Sequence, residues 1–484
     1  MVMNWEPVIG IEVHVELKTE SKMFCGCRAD FGSDPNTNIC PVCLALPGAL
    51  PVPNEQAIEW IIQIGLALNC AISPESIFHR KNYFYADLPK NYQISQFDIP
   101  VCSSGYLDVE VNDETIRVAI NRVHQEEDTG KSLHVGGGGR IHSAEATLLD
   151  FNRAGVPLVE VVTEPDIHSP AAARAYAQQL RSVIESLGVS DAKLEEGSMR
   201  FDANVSIRPE GDSELGAKVE VKNMNSFRSL ERALDYEIIR QTGVREAGER
   251  IHQETRHWDE EAGVTHSMRS KEGSSDYRYF AEPDLVPIVV SDEWREEIRS
   301  TLPELPHERQ ARYVDFGLEP YVASVLVSGA AGLADLFEEA VALGADPGQV
   351  AKWLTGETNA YLNKHEATVE QTALTAAHLG ELVSMQVDGR LSATAAKEVL
   401  TGVLDGEGTP EEVAAARDLI QVSDSGAIEE EVEAVLEANP DALEKIRAGD
   451  MKPFGFLVGQ VMRATSGKAD PKVVNEILRK RAAQ

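Results

Sequence analysis

The 484-residue chain lacks any apolar run of the length a membrane-spanning helix needs. Its opening, MVMNWEPVIGIEVHVELK, has no basic stretch followed by an apolar one. We therefore expect a soluble, cytoplasmic protein with no membrane partner. Positive charge is also scarce. The 45 lysines and arginines stand against 79 acidic residues, a net charge of −34, which argues against a general nucleic-acid binder. Six cysteines in so long a chain cannot form a disulfide scaffold, and four of them cluster in a way that suits a metal. A phosphate-binding P-loop is missing too. Gly130-Lys131-Ser132 resembles its end, but the position that requires the first glycine holds Gln125, and Glu126, Glu127 and Asp128 would repel a triphosphate. A Ser-Ser-Lys amidase is excluded in the same manner. KEGSSDYRYF contains Lys271, Ser274 and Ser275 without the glycine- and serine-rich surroundings such an enzyme uses.

What is present is ample apolar content, 43%, and a length that suggests about three domains. Up to about residue 290 the chain alternates with period two. VIGIEVHVELK sets Ile9, Ile11, Val13, Val15 and Leu17 on one face, and Glu12, His14 and Glu16 on the other. SMRFDANVSI, AKVEVKN and TIRVAINRV alternate likewise, the last with Ile116, Val118 and Ile120 opposite Arg117, Ala119 and Asn121. These patterns predict half-buried strands of an antiparallel or mixed sheet. Helices interrupt them: one begins at Ser169-Pro170 and stops at Gly188, and another runs from Ser226 to about Gly243. The order predicts an α+β fold. From about Trp294 helical segments take over, and LDGEGTPEE (Leu404–Glu412) has the composition of a linker. From Lys445 onward nine basic residues face three acidic ones, a surplus of six that leaves the rest of the chain at −40. Such a tail suits an anionic partner, or equally the dipoles of its own helix ends.

Three groups of residues can carry chemistry. Cys25 and Cys27 are followed, after twelve residues, by Cys40 and Cys43, a spacing that can place four thiolates around a structural zinc; four thiols without metal is the alternative. Carboxylates recur on polar strand faces, with Glu160 set between valines, and oxygen-rich surroundings of this kind favour Mg²⁺. Together with lysines and arginines on one sheet face they would suit phosphoryl transfer without a P-loop. A merely solvated polar face is the bland reading of the same pattern. RKNYFYADLPKNYQISQ interleaves basic, aromatic and amide side chains, either to contact a nucleic acid or as a structural loop.

VIGIEVHVEL, RKNYFYADLPKNYQISQ, HQEEDTGKS, LLDFNRAGVPLVEVVTEPD, KLEEGSMRFDANVS, EVKNMNSF, GSSDYRYFAEPDLVP and GFLVGQVM occur in this order along nearly the whole chain. Together they resemble the B subunit of the aspartyl/glutamyl-tRNA(Asn/Gln) amidotransferase family. The resemblance implies a glutamine-synthetase-like cradle domain with a mostly antiparallel sheet (residues 1–293), an all-helical domain (294–408) and a small helical tail that binds tRNA (409–484). It implies ATP-dependent activation of Glu-tRNA(Gln) or Asp-tRNA(Asn) to an acyl phosphate, which ammonia then displaces. The ammonia would come through a tunnel from a partner amidase, the A subunit of the complex, and a small C subunit would complete a heterotrimer. Carried over residue by residue, Mg²⁺ would be held by His14, Glu127 and Glu160, with Glu12 nearby. Lys81, Arg200 and Lys222 would face the phosphates of ATP, and Cys25, Cys27, Cys40 and Cys43 would hold zinc. Gln125 and the Gly136–Gly139 run depart from the family pattern.

Overall fold

Nine strands form the main sheet of the computed structural model, which describes residues 4–112, 114–136, 145–268, 277–365, 367–421, 425–447, 451–465, 469 and 471–482. Lys271, Ser274, Ser275 and Gly137–Gly139 lie outside the described residues. In chain order the strands are β1 (Trp5–Glu16), β2 (Ala71–Ile72), β3 (Cys102–Val111), β4 (Glu114–Glu127), β5 (Pro157–Thr163), β6 (Met199–Pro209), β7 (Val219–Met224), β8 (Glu254–Asp259) and β9 (Val264–Ser267). Across the sheet they run β9-β8-β7-β6-β1-β5-β4-β3-β2. Every neighbour is antiparallel except the parallel pair β7 and β8.

The alternation of β1 explains its place at the centre. Ile9, Ile11, Val13 and Val15 are all buried in the core, each contributing about 1.5–3 kcal/mol of transfer free energy. Helices α1 (Glu55–Ala67), α2 (Pro170–Ser186) and α3 (Phe227–Glu246) bring Ile61, Tyr176, Leu180, Leu230 and Leu234 to that same core. Asn54, Ser169 and Ser226 cap the three helices, each side chain accepting a hydrogen bond from a first-turn backbone N–H. The opposite face of the sheet keeps Glu12, His14 and Glu16 and lies open.

Strand β4 does not hold a single phase. Val118 and Ile120 face the core, but the next buried valine is Val123, three residues on instead of two. The break is a register shift: Val162 of β5 pairs with Arg122, yet Thr163 pairs with Ile120, so Asn121 is left over as a bulge. Beyond it, even-numbered residues face away from the core.

The chain divides into two compact units, Met1–Leu305 and Pro306–Gln484. The first boundary falls later than expected. Helix α4 (Asp292–Ser300) buries Ile298 in the core of the first unit, as does Leu305 further on, so the chain leaves that core after α4 and not before it. The second unit has two hydrophobic cores, one spanning Tyr313 to Ala414 and one spanning Ile428 to Leu478. The expected linker around Leu404–Glu412 is a short non-helical connection, residues 405–409, between two helices that share one core. Thr409 and Glu412 form a capping box, and Val413 and Ala414 of helix Pro410–Ala416 are buried in the first of these cores. Among the described residues no single helix is long and apolar enough to cross a membrane.

A Cβ on Gly65 in α1 would meet the Cys102 Sγ of β3 at 2.3 Å, whereas one on Gly243 in α3 would meet nothing within 4 Å. Gly65→Ala should destabilise the first unit by about 1–3 kcal/mol through overpacking. Gly243→Ala should stabilise it by about 0.5–1 kcal/mol by restricting the unfolded chain. Urea unfolding of the two variants checks both signs.

Candidate active site

The open face of the sheet forms the floor of a cavity of about 760 Å³. Its side chains converge because the strands are in register. His14 of β1 lies opposite Glu160 of β5, and Glu160 lies opposite His124 of β4. Two residues along β4, beyond the bulge, Glu126 comes to the same face. His14 Nε2 stands 3.8 Å from Glu160 and 3.9 Å from Glu126. Arg122 donates to His124 Nδ1 at 3.3 Å, which leaves Nε2 as the nitrogen that donates to Glu160, at 3.0 Å. Burial alone would push Glu160 up, but the His124 and His14 imidazoles and the Lys81 ammonium outweigh it and hold the carboxyl well below its usual range.

A second acidic group sits on the neighbouring strands. Glu12 of β1 is opposite Asp202 of β6, and Asn204 of β6 is opposite Glu220 of β7. Burial, then the charges of Glu160 and Asp202, raise the Glu12 pKa. Asn204 donates to Glu12 at 2.8 Å, while its own buried Oδ1 has no partner among the described residues. Ligand atoms of Glu12, Asp202 and Glu220 lie within 4.8 Å of one another, as do those of His14, Glu126 and Glu160. Each trio fits a divalent cation. An orphaned carbonyl oxygen beside three carboxylates is the arrangement that a cation satisfies and that a fourth anion would not.

Cations complete the lining. Lys222 pairs with Asp202 and, at 2.9 Å, with Glu220. Burial disfavours its charge, but these two carboxylates outweigh that and raise its pKa. Lys81 is held charged in the same way by Glu126 and Glu160 against its burial. Arg200 donates to Asp128 at 2.9 Å. Asp128 also faces Glu16, whose pKa is pushed up by burial and by that neighbour.

Of the residues singled out from the sequence, Glu12, His14, Glu160, Lys81, Arg200 and Lys222 all line this cavity. Glu127 does not join them. Its side chain points to the other face, where it pairs with Lys90 and accepts the Ile94 N–H at 2.9 Å. The cause is the bulge at Asn121: uninterrupted alternation from Arg117 would put Glu127 on the polar face, and one extra residue gives that place to Glu126. Sequence reasoning also passed over His124, which the same phase change brings in beside Asp128, and left Asp202 and Glu220 without a role. Their alternation on β6 and β7 was visible, but not that these two strands follow one another beside the strand of Glu12.

The four clustered cysteines come together as their spacing suggested. Cys40 and Cys43 Sγ are 3.8 Å apart, and all four sulfurs lie within 4.8 Å of one another. A tetrahedral zinc with Zn–S bonds of about 2.3 Å sets its sulfurs about 3.8 Å apart, so the set fits that ion. The Cys25 thiol donates to Cys43 and lowers its pKa to about 5, while burial first, and then Cys40, pushes Cys27 up to about 11. Cys70 and Cys102 are buried apart from this group.

Glu127 is buried, so its ammonium partner matters for stability. Lys90→Met should cost about 3–5 kcal/mol by leaving the carboxylate unpaired. Adding Glu127→Gln should recover most of that loss in urea unfolding, as expected of a structural pair.

Comparison with known proteins gives this arrangement a context. The family model described as the GatB/GatE catalytic domain matches residues 7–296, and that of the GatB domain matches residues 335–481. The aspartyl/glutamyl-tRNA(Asn/Gln) amidotransferase B subunit of Moorella thermoacetica is 50% identical over 480 residues, covering 99% of this chain and 100% of the relative. The B subunit of Thermodesulfovibrio yellowstonii is 48% identical over 477 residues, 98% of this chain and 99% of its own. That of Salinispora arenicola is 50% identical over 488 residues, 99% and 97%. A catalytic-domain match that covers the whole cavity-bearing sheet, with end-to-end similarity to B subunits, means that the chain belongs to the GatB/GatE amidotransferase family.

Proposed function

We propose that this chain uses ATP to activate the side-chain carboxylate of glutamate or aspartate misacylated onto tRNA(Gln) or tRNA(Asn), and then amidates it. The observation that carries this is the pair of acidic trios, His14–Glu126–Glu160 and Glu12–Asp202–Glu220, sharing one cavity with Lys81, Arg200 and Lys222. A substrate carboxylate oxygen attacks the γ-phosphorus of ATP, ADP leaves with the electron pair of the broken bond, and an acyl phosphate forms. Ammonia then adds to the acyl carbon and phosphate departs. Neither step needs a protein nucleophile, so the site's task is to position reactants and balance charge.

The side chains are distributed for that task. Glu126 and Glu160 with His14, and Glu12 with Asp202 and Glu220, would each hold Mg²⁺, which supplies charge neutralisation for phosphate oxygens. Glu126 takes the place in the first set that sequence reasoning assigned to Glu127. Lys81 and Lys222, kept protonated by their acidic neighbours, hold positive charge where the triphosphate lies. Arg200 is anchored by Asp128 and turned toward the same space. His124 orients Glu160 through its Nε2 hydrogen bond. The relatives are named as B subunits, in keeping with ammonia delivered by a partner amidase, the A subunit, within a heterotrimer that a small C subunit completes. The basic residues from Lys445 onward suit the tRNA, and a tRNA substrate suits a cytoplasmic location. Zinc on the four cysteines is structural, since no ligand position is left for a substrate.

Glu126→Gln should lower tRNA-dependent formation of ADP by about 100-fold while tRNA binding in a gel-shift assay stays intact. Unchanged turnover would remove Glu126 from the site. Purified protein should contain one zinc per chain by elemental analysis. Cys40→Ser with Cys43→Ser should lose it and expose the loop around residues 25–43 to protease, because the metal contributes on the order of 10 kcal/mol to local folding.

A further inference from the structure

Glu237 of α3 is a fully buried carboxylate that the chemistry above does not use. It is not isolated. Arg240 donates to it at 2.9 Å, Gln241 and Thr265 each at 3.0 Å, and Arg256 of β8 stands 3.5 Å away. Arg256 is held in turn: it donates to the Thr265 hydroxyl and carbonyl, both at 2.8 Å, and to Glu254 at 2.7 Å. A buried ion pair adds little net stability over apolar side chains of the same volume, so stability alone does not call for this one. What it does is fix β8, a strand near the edge of the sheet whose outer neighbour β9 is only four residues long. Alternation along β8 then turns the intervening side chain the other way. Arg256 and the buried Trp258 face α3, and Thr255 faces the cavity. Glu220 of β7 lies directly opposite Thr255. The buried Thr255 hydroxyl donates to Glu220 Oε2 at 2.7 Å, and Lys222 meets Oε1 at 2.9 Å.

We propose that Thr255 is a positioning residue, whose hydroxyl fixes the Glu220 carboxylate for the cation of the Glu12–Asp202–Glu220 trio. This rests on the reading of that trio given above. Most side-chain hydrogen bonds go to backbone or water. This one goes to a carboxylate of the site, and a bond to an ionised acceptor is among the stronger and more directional kinds. It holds the carboxylate against rotation, so that Glu220 keeps an oxygen within reach of Glu12 and Asp202. It does not consume that oxygen, because each carboxylate oxygen has two lone pairs. The other two acids of the trio have holders of their own: Asn204 donates to Glu12 and Lys222 to Asp202. Thr255 does for the third what these do for the first two. Partners that orient metal ligands in this manner typically set metal affinity by about 10- to 100-fold.

The test measures Mn²⁺ binding to the assembled heterotrimer, from the electron paramagnetic resonance of the free ion, alongside tRNA-dependent ADP formation. Glu220→Ala should remove one class of Mn²⁺ site. Thr255→Val, which keeps the shape and loses the hydroxyl, should weaken that class about tenfold. It should raise the Mg²⁺ concentration for half-maximal ADP formation by the same factor and leave KM for the aminoacyl-tRNA unchanged. Thr255→Ser should restore both values. In the Glu220→Ala background, Thr255→Val should have no further effect on Mn²⁺ binding, since the two act through one carboxylate. Thr255→Ala gives the same reading if the valine variant does not assemble. A hydroxyl that serves only the fold would lower the unfolding midpoint and leave the Mn²⁺ sites as in the wild type. That result, with the Glu220-dependent site present, overturns this inference alone. A wild-type complex with no Mn²⁺ site that Glu220→Ala removes overturns the reading of the second trio, and the inference with it.

Discussion

The pairing of β1 between β5 and β6 is the constraint on which the rest of the site depends. Because side chains alternate with period two, the register that buries Ile9, Ile11, Val13 and Val15 also delivers Glu12, His14 and Glu16 to the opposite face. The same register sets His14 beside Glu160 and Glu12 beside Asp202. A slip of one residue would expose four core aliphatics and bury three ionisable groups, at a cost well beyond the usual stability of a domain. The core therefore fixes the positions of cavity-lining groups drawn from five strands, without any of those groups having to stabilise the fold.

That arrangement concentrates negative charge. Eight carboxyls, those of Glu12, Glu16, Glu126, Asp128, Glu160, Asp202, Glu220 and Glu254, line or adjoin one cavity, and burial, with the neighbouring carboxylates second, raises the pKa values of Glu12 and Glu16. Lys81, Arg200 and Lys222 balance part of it, and each is driven further toward its charged form by doing so. The remaining imbalance is what a divalent cation and its bound phosphates would offset. It also bears on the acidity of the chain as a whole: a net charge of −34 is less foreign to a tRNA enzyme when some of the anionic groups serve ions and not the RNA surface.

Much of this was legible in the sequence, for definite physical reasons. Alternation located β1, β6 and β7, and Ser169-Pro170 and Ser226 located two helix starts, because both signals are local. The cysteine spacing anticipated a cluster because short loops bring pairs of thiols together. The choice between Glu126 and Glu127 was not legible. It depends on one bulged residue, Asn121, whose effect is set by pairing with β5, about forty positions further on. The domain edges failed for a similar reason, since Ile298 and Val413 declare their allegiance only through the cores they pack into. Thr409 looked like part of a linker because a capping box and a flexible acidic stretch use the same residue types.

The central claim is that the bulge in β4 puts Glu126, and not its neighbour, with His14 and Glu160. Anomalous scattering from crystals grown with Mn²⁺ and a non-hydrolysable ATP analogue tests it most directly. The account predicts a manganese peak bounded by His14, Glu126 and Glu160, with Glu127 still on Lys90. A peak coordinated by Glu127, or density showing Glu126 turned into the core, would contradict it.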